Sequence, residues 1–142
     1  MDTPKFYLFD VGVLNFLAKR NINILKGTEA GEAFAHYILM ELMAYKGLNN
    51  VDFEITFWRT KTGLEVDFVL NSSAAIEVKI SDNVPAVELK GLIAFCAEHK
   101  PEKAYVVSQV PRARKINLEE NGEILVLPWK MFLEKLWKQE IV

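Results

Sequence analysis

Residues 63–80, with the sequence GLEVDFVLNSSAAIEVKI, constrain the fold more than any other stretch of the chain. They contain two short apolar alternations separated by a polar turn at residues 71–74, and a period of two is typical of β-strands joined in a hairpin. The first strand carries Asp67, and the second carries Glu77 and Lys79. Because charged residues are among the least often buried types, strands that carry them inward indicate a function for those side chains.

Whether Asp67 lies on the same face of the hairpin as Glu77 and Lys79 depends on the length of the hairpin loop. Glu77 and Lys79 share one strand face, because side chains alternate along a strand. An odd loop, such as residues 71–73, sets Asp67 opposite Glu77, whereas an even loop turns Asp67 to the other face. Alternation along the first strand predicts two sets, which are Leu64, Val66, Phe68 and Leu70 on one face and Glu65, Asp67 and Val69 on the other.

The helix before the hairpin carries a further carboxylate. The pattern predicts a helix from residue 29 or 32 to Tyr45, with Gly47 as its C-terminal cap. Glu41 lies three residues after Ile38 and four before Tyr45, so it falls on the inward stripe of the helix. The apolar members of that stripe are Phe34, Tyr37, Ile38, Leu42 and Tyr45.

The remaining segments predict an α/β layer architecture with a mixed sheet. Residues 5–9 form an aromatic strand and residues 11–17 a short helix. Further strands are predicted at residues 52–58, 103–108 and 123–127, and a charged loop at residues 110–121. One helix, capped by residues 82–85, is predicted to run to about His99, and another from Pro128 through Trp137. We divide the chain into residues 1–28, the N-terminal strand and short helix, and residues 29–142, the α/β domain, within one compact domain.

Composition and charge favour a cytoplasmic protein and give only local signals for nucleic-acid binding. The 142 residues include no apolar run of membrane-span length, no secretory signal and one cysteine, Cys96, which we expect to pack as a small hydrophobe. The net charge of −2 lacks the basic surplus typical of domains that bind nucleic acid unaided. Two small basic clusters, either solvated loops or nucleic-acid contacts, are Arg59 with Lys61, and Arg112 with Arg114 and Lys115.

The carboxylates and the lysine fit a metal-dependent phosphodiesterase. Mg²⁺ often takes one or two protein carboxylates plus water, so Asp67 and Glu77 are predicted to hold Mg²⁺ or Mn²⁺, which polarises a phosphate and acidifies a water. Lys79 would orient that water or neutralise charge on the phosphate. Glu41 is predicted as a further ligand or as a partner that orients the water. The alternative is an ion pair on a solvated sheet face, which contributes about 0–1 kcal/mol.

Several motifs together resemble a known family. EVDFVL followed by IEVK, with the upstream helix GEAFAHYILMEL, resembles the uncharacterised C-terminal domain of prokaryotic AAA-type ATPases, which is assigned to the PD-(D/E)XK nuclease-like superfamily. FYLFDVGVLNFL, FWRTKTGLEVDFVL and EILVLP are similar to that family's N-terminal segment, its Tyr-Trp-Arg block and its last strand. Ala35 departs from the family, which often has Glu there, and residues 10–13 read Asp-Val-Gly-Val where the family often has Asp-Thr-Gly-Leu.

The resemblance implies a restriction-endonuclease-like core, a mixed central sheet flanked by helices, with site positions Glu41, Asp67, Glu77 and Lys79. It also implies an ATPase domain upstream in the same chain, DNA as substrate, and Mg²⁺ or Mn²⁺ as cofactor. No membrane partner is expected, and a homo-oligomer stays open. Two functions follow, a magnesium-dependent nuclease module acting on DNA phosphodiesters and a catalytically silent nuclease-fold domain that serves interaction or regulation.

Overall fold

The structure, a computed structural model, describes residues 27–120 and 122–142. Its elements are α1 (Gly27–Leu48), β1 (Ile55–Arg59), β2 (Glu65–Leu70), β3 (Ala74–Val78), a 3₁₀ helix (Ala86–Leu89), α2 (Lys90–His99), β4 (Lys103–Ser108), β5 (Arg114–Asn117), β6 (Glu123–Pro128) and α3 (Trp129–Trp137). The strand predicted at residues 5–9 and the helix predicted at residues 11–17 lie outside the described residues. None of the described helices is long and apolar enough to cross a membrane.

The strands form one mixed, six-stranded sheet in the order β1-β2-β3-β4-β6-β5. The first three strands form an antiparallel meander, β4 lies parallel to both β3 and β6, and β5 pairs antiparallel with β6 at the far edge. β4 therefore lies inside the sheet, as its apolar sequence predicts. The mixed sheet flanked by helices confirms the α/β architecture expected from the sequence.

Helices cover both faces of this sheet and bury a separate apolar core on each. On the face that we call the α1 face, Leu42 of α1 and Phe132 of α3 pack against the strands. On the opposite face, which we call the α2 face, Leu92 and Phe95 of α2 pack against the same strands. Since both faces are covered, the inner strands read as nearly continuous apolar runs rather than clean alternations.

The helix α1 extends beyond both predicted ends, and Asn50 rather than Gly47 terminates it. Gly47 is an ordinary helical residue, and the helix continues to Leu48. Asn50 has a left-handed backbone with a φ of 50°, and the N–H of Val51 donates to the carbonyl of Lys46 at 3.2 Å. This is the Schellman arrangement, in which asparagine takes the place more often held by glycine.

The segment leading into α2 differs from the predicted single helix, capped by residues 82–85 and running to about His99. It splits into the 3₁₀ helix and α2, and no side chain caps either helix. Val87 is 66% exposed, because a 3₁₀ turn has three residues and moves side chains off the stripe that an α-helix would bury. At Gly91, an added Cβ would collide with the backbone carbonyl of Glu65, so glycine lets α2 pack directly against β2.

The charged loop predicted over residues 110–121 contains a strand, β5. Ile116 pairs with Ile124 of β6, and it is the one residue of β5 that is not fully exposed. A strand with a single partly buried residue shows no alternation strong enough to be read from sequence. Its charged side chains are typical of edge strands, where they oppose pairing with other chains.

Candidate functional site

The β2–β3 hairpin has the odd loop that the pairing of Asp67 with Glu77 requires. The register pairs Leu70 with Ala74, Val69 with Ala75 and Phe68 with Ile76. The loop is therefore residues 71–73, which is the odd length that favours the pairing. The regular pairing ends at Phe68 with Ile76, one residue before Asp67 and Glu77.

A β-bulge lies in β2 at Asp67. The register between β1 and β2 shifts so that β2 has one extra residue between Val66 and Val69. Phe68 packs on the α1 face, whereas Val66 packs on the α2 face. The prediction that Val66 and Phe68 share a face is wrong, because the extra residue reverses the alternation at this point.

The bulge brings the Asp67 carboxylate into the hydrogen-bond ladder. Its Oδ2 atom accepts a hydrogen bond from the N–H of Val78 at 2.8 Å, where a regular antiparallel ladder would supply a backbone carbonyl. Asp67 is 9% exposed and Glu77 is 7% exposed. These two carboxylates are therefore buried, which argues against the alternative of an ion pair on a solvated sheet face. Buried charges are retained only where other interactions compensate for the lost water.

Glu77 and Lys79 follow the alternation predicted for β3. Ile76 and Val78 pack on the α1 face, so Glu77 and Lys79 lie toward the α2 face. The N–H of Lys79 donates to the carbonyl of Val107 at 2.9 Å, which continues the pairing with β4 past the end of β3. Lys79 is half-buried, so its position is fixed by the sheet while part of it remains accessible.

The structure places Glu41 against α3 rather than beside Asp67. Its Oε2 atom accepts a hydrogen bond from Nε1 of Trp137 at 3.0 Å. Burial, followed by the charge of Glu41 and its hydrogen bond with the tyrosine side chain, raises the pKa of Tyr37 to about 12. The other flank of α1, which includes Leu39, faces the groove that Asp67 lines. Glu41 is half-buried, as an inward position predicts, but it joins two helices.

The described residues do not assemble the predicted metal site of Asp67, Glu77 and Glu41. No group of three or more His, Cys, Asp or Glu side chains among them could hold a metal ion. Glu41 does not join Asp67 and Glu77, because its carboxylate lies on the side of α1 that faces α3. Asp67 and Glu77 alone still match the oxygen chemistry of Mg²⁺, which often takes only one or two carboxylates and completes its shell with water.

The basic residues predicted to contact nucleic acid lie at opposite edges of the sheet, one cluster at β1 and the other at β5. Arg59 pairs with Glu65 at 3.0 Å, and Lys115 lies 3.8 Å from Glu123. Arg114 donates to a backbone carbonyl of the segment before the 3₁₀ helix. The structure thus does not gather the clusters into one cationic surface. The two remaining members, both exposed, are Lys61 and Arg112.

A family model, that of a domain of unknown function, matches residues 30–132, a span from α1 into α3 that includes the whole β2–β3 hairpin. The chain belongs to the DUF4143 family. No curated protein and no solved structure matches the chain. Membership in DUF4143 agrees with the part of the resemblance that concerns a domain of unknown function.

Two features of this DUF4143 domain could not be recognised in its sequence. The bulge at Asp67 has no glycine to mark it, and the apolar alternation runs through it without a break. The bond between Glu41 and Trp137 joins residues 96 positions apart, and no local pattern encodes such a contact. Both features decide where a carboxylate points, which is the property that the predicted site depends on.

Proposed function

We propose that this DUF4143 domain is a magnesium-dependent, nuclease-like module with a restriction-endonuclease-like core that acts on DNA phosphodiesters. The observation that carries the proposal is the pair of buried carboxylates Asp67 and Glu77, with Asp67 held by the N–H of Val78 at the bulge. The mixed sheet flanked by helices and the resemblance to PD-(D/E)XK nucleases add support. The resemblance also supports a position downstream of an AAA-type ATPase domain, and the composition supports a cytoplasmic location.

Each residue of the site has a separate task in this proposal. Asp67 and Glu77 supply the carboxylate oxygens that hold Mg²⁺, an ion that contributes Lewis-acid stabilisation of a phosphate when bound. Lys79 shares a strand face with Glu77, so its ammonium group neutralises charge on a phosphate oxygen or orients the attacking water. Glu41 has a structural task, because its carboxylate accepts the indole N–H of Trp137.

Cleavage of supercoiled plasmid DNA by the purified protein tests this proposal. We expect nicking that requires Mg²⁺ or Mn²⁺ and stops with EDTA. Asp67→Asn, Glu77→Gln and Lys79→Met should each abolish it, while the exposed Glu88→Gln serves as a matched control. Asp67→Asn is the sharper variant, because its amide oxygen can still accept the N–H of Val78. Equal nicking by the wild type and Asp67→Asn would assign the activity to a contaminant.

The second function, a catalytically silent nuclease-fold domain used for interaction, has support of its own. The described residues contain no group of three metal-ligating side chains, and the basic clusters lie at opposite sheet edges. Calorimetric titration with Mg²⁺ separates the two functions. Binding that Asp67→Asn abolishes, together with nicking, supports the nuclease. Absence of nicking, with or without metal binding, supports the silent module.

A further inference from the structure

A groove of about 950 Å³ runs between α1 and β1 on the α1 face. Leu39 and Met43 of α1 form one wall, Ile55 and Phe57 of β1 form the other, and Phe68 lies among the remaining lining residues. Met43 is 52% exposed and lies among the other apolar lining residues of the groove. The groove therefore offers apolar contact area that the described part of the chain does not cover.

The wall formed by β1 is also an edge of the sheet among the described residues. The N–H and the C=O of Glu54 both bond to Asn71, at 2.9 and 3.1 Å. Backbone direction alternates along a strand, so Ile55 and Phe57 direct their own N–H and C=O groups away from β2. The other edge strand, β5, carries Arg114 and Lys115, whose charges oppose the addition of another strand. In β1, the residues whose backbone groups point away from β2 include the apolar Ile55 and Phe57.

The charge of the groove restricts what it can hold. The residues that line it include three acidic ones, Asp52, Glu54 and Asp67, and a single basic one, Lys46. The Nζ atom of Lys46 lies 5.6 Å from the ring centroid of Phe53, so part of its charge faces an aromatic ring. An acidic, apolar groove attracts cationic side chains.

We propose that the groove between α1 and β1 binds an extended segment of a partner protein, which adds as a strand to the edge of β1. Alternate side chains of that segment are apolar and enter the groove between Met43 and Phe57. Lysine or arginine residues of the segment face Asp52 and Glu54. This mode of recognition combines main-chain hydrogen bonds, which supply affinity, with side-chain pockets, which supply selectivity. The proposal goes beyond the nuclease function and does not depend on it.

A library of random nonapeptides displayed on phage, selected on the purified protein, tests the proposal and requires no identified partner. We expect selected peptides with apolar residues at every second position, an excess of lysine and arginine, and few prolines in the centre. No enrichment would overturn the proposal, as would selected peptides with acidic residues in excess or with helical periodicity.

Binding of a selected peptide, synthesised with a fluorophore and followed by anisotropy, then locates the site. Met43→Glu should weaken binding about tenfold or more, as the loss of an apolar anchor does, whereas Met131→Glu on α3 should leave it unchanged. Both methionines are exposed, so neither substitution should prevent folding. The double variant Asp52→Lys with Glu54→Lys should also weaken binding. Equal effects of Met43→Glu and Met131→Glu would overturn the proposal.

N-methylation along the peptide tests strand addition itself. Methylation at alternate residues should weaken binding, because only every second amide faces β1, and methylation at the residues between should not. Displacement of the peptide by a short DNA duplex would assign the groove to nucleic acid, and self-association that Met43→Glu abolishes would assign it to a second copy of the chain. Either of these results would overturn the proposal.

Discussion

At the residue scale, the hydrogen bond from the N–H of Val78 to Asp67 decides how β2 meets β3. The sequence left odd and even hairpin loops open, and the structure has the odd loop, with regular pairing as far as Phe68 with Ile76. The bulge could not be predicted, because the residues 66–68 have an ordinary strand composition. Asp67 thus combines a structural hydrogen bond with a nearly buried carboxylate.

Substitution of Asp67 should separate these two properties. Asp67→Ala removes the acceptor of the N–H of Val78 in a buried place, and the free energy of unfolding should fall by about 1–3 kcal/mol. Asp67→Asn keeps an acceptor oxygen, so we expect a smaller loss. Urea denaturation of the wild type and both variants measures the difference. Equal stability of Asp67→Ala and Asp67→Asn would mean that the bond to Val78 contributes little.

Cys96 should behave as a packed side chain with a weakly reactive thiol. Burial raises the pKa of its thiol to about 11, above the ordinary 9.0. At pH 8 the thiolate fraction, and with it the rate of reaction with Ellman's reagent, should be on the order of 100-fold lower than for a free thiol. Protein unfolded in urea supplies the control, and equal rates in the folded and unfolded protein would contradict the prediction.

The same raised pKa of Cys96 sets the sign of a pH dependence. The thiol is protonated in both states at pH 7 and contributes no pH dependence there. As the pH rises above 9, the unfolded chain loses this proton first, so the contribution to stability falls until the pH passes about 11. Urea midpoints measured for the wild type and Cys96→Ala at increasing pH should show a shallower decline for Cys96→Ala.

At the element scale, the helix α1 has two different flanks. Its Glu41 flank packs against α3, where Trp137 also contacts the ring of Tyr45 edge-on at 5.5 Å between ring centroids. Its other flank, with Leu39 and Met43, borders the groove. Helical periodicity predicted the inward stripe correctly, but it could not predict which neighbour lies beside each flank, because that depends on the packing of α3.

Substitution of Glu41 should therefore leave the chemistry of the site intact. Glu41→Gln keeps an oxygen that can accept the indole N–H of Trp137, so stability should change by less than about 1 kcal/mol. In the plasmid assay we expect Glu41→Gln to retain nicking while Asp67→Asn loses it. If Glu41→Gln lost nicking as completely as Asp67→Asn, Glu41 would have to be counted as part of the metal site.

The contact between α2 and β2 should tolerate no side chain at Gly91. Gly91→Ala forces apart two backbones, so we expect the free energy of unfolding to fall by about 1–3 kcal/mol or more, as in other overpacked cores. Gly47→Ala in α1 is the matched control, because a Cβ there meets nothing within 4 Å. The free energy of unfolding of this control should rise by about 0.5–1 kcal/mol, because alanine has a higher helix propensity than glycine. Thermal unfolding of both variants checks the opposite signs.

At the scale of the whole molecule, the sequence reveals the covered sheet but not the full strand count. The inner strands β3 and β4 are apolar enough to be read directly, since both faces of the sheet are buried. The edge strand β5 is charged and exposed, so it resembles a loop in sequence. The distribution of basic residues on opposite edges likewise depends on strand order, which follows from tertiary pairing rather than from local pattern.

The central claim is that Asp67 and Glu77 together form a site for a divalent cation. Titration of ¹⁵N-labelled protein with Mn²⁺ tests it directly, because amide signals nearest the bound ion broaden first. We expect the amides of Asp67, Glu77 and Val78 to broaden first in the wild type, and this pattern to vanish in Asp67→Asn. First broadening at the exposed acidic residues Glu119 and Glu120, or the same pattern in Asp67→Asn, would contradict the claim.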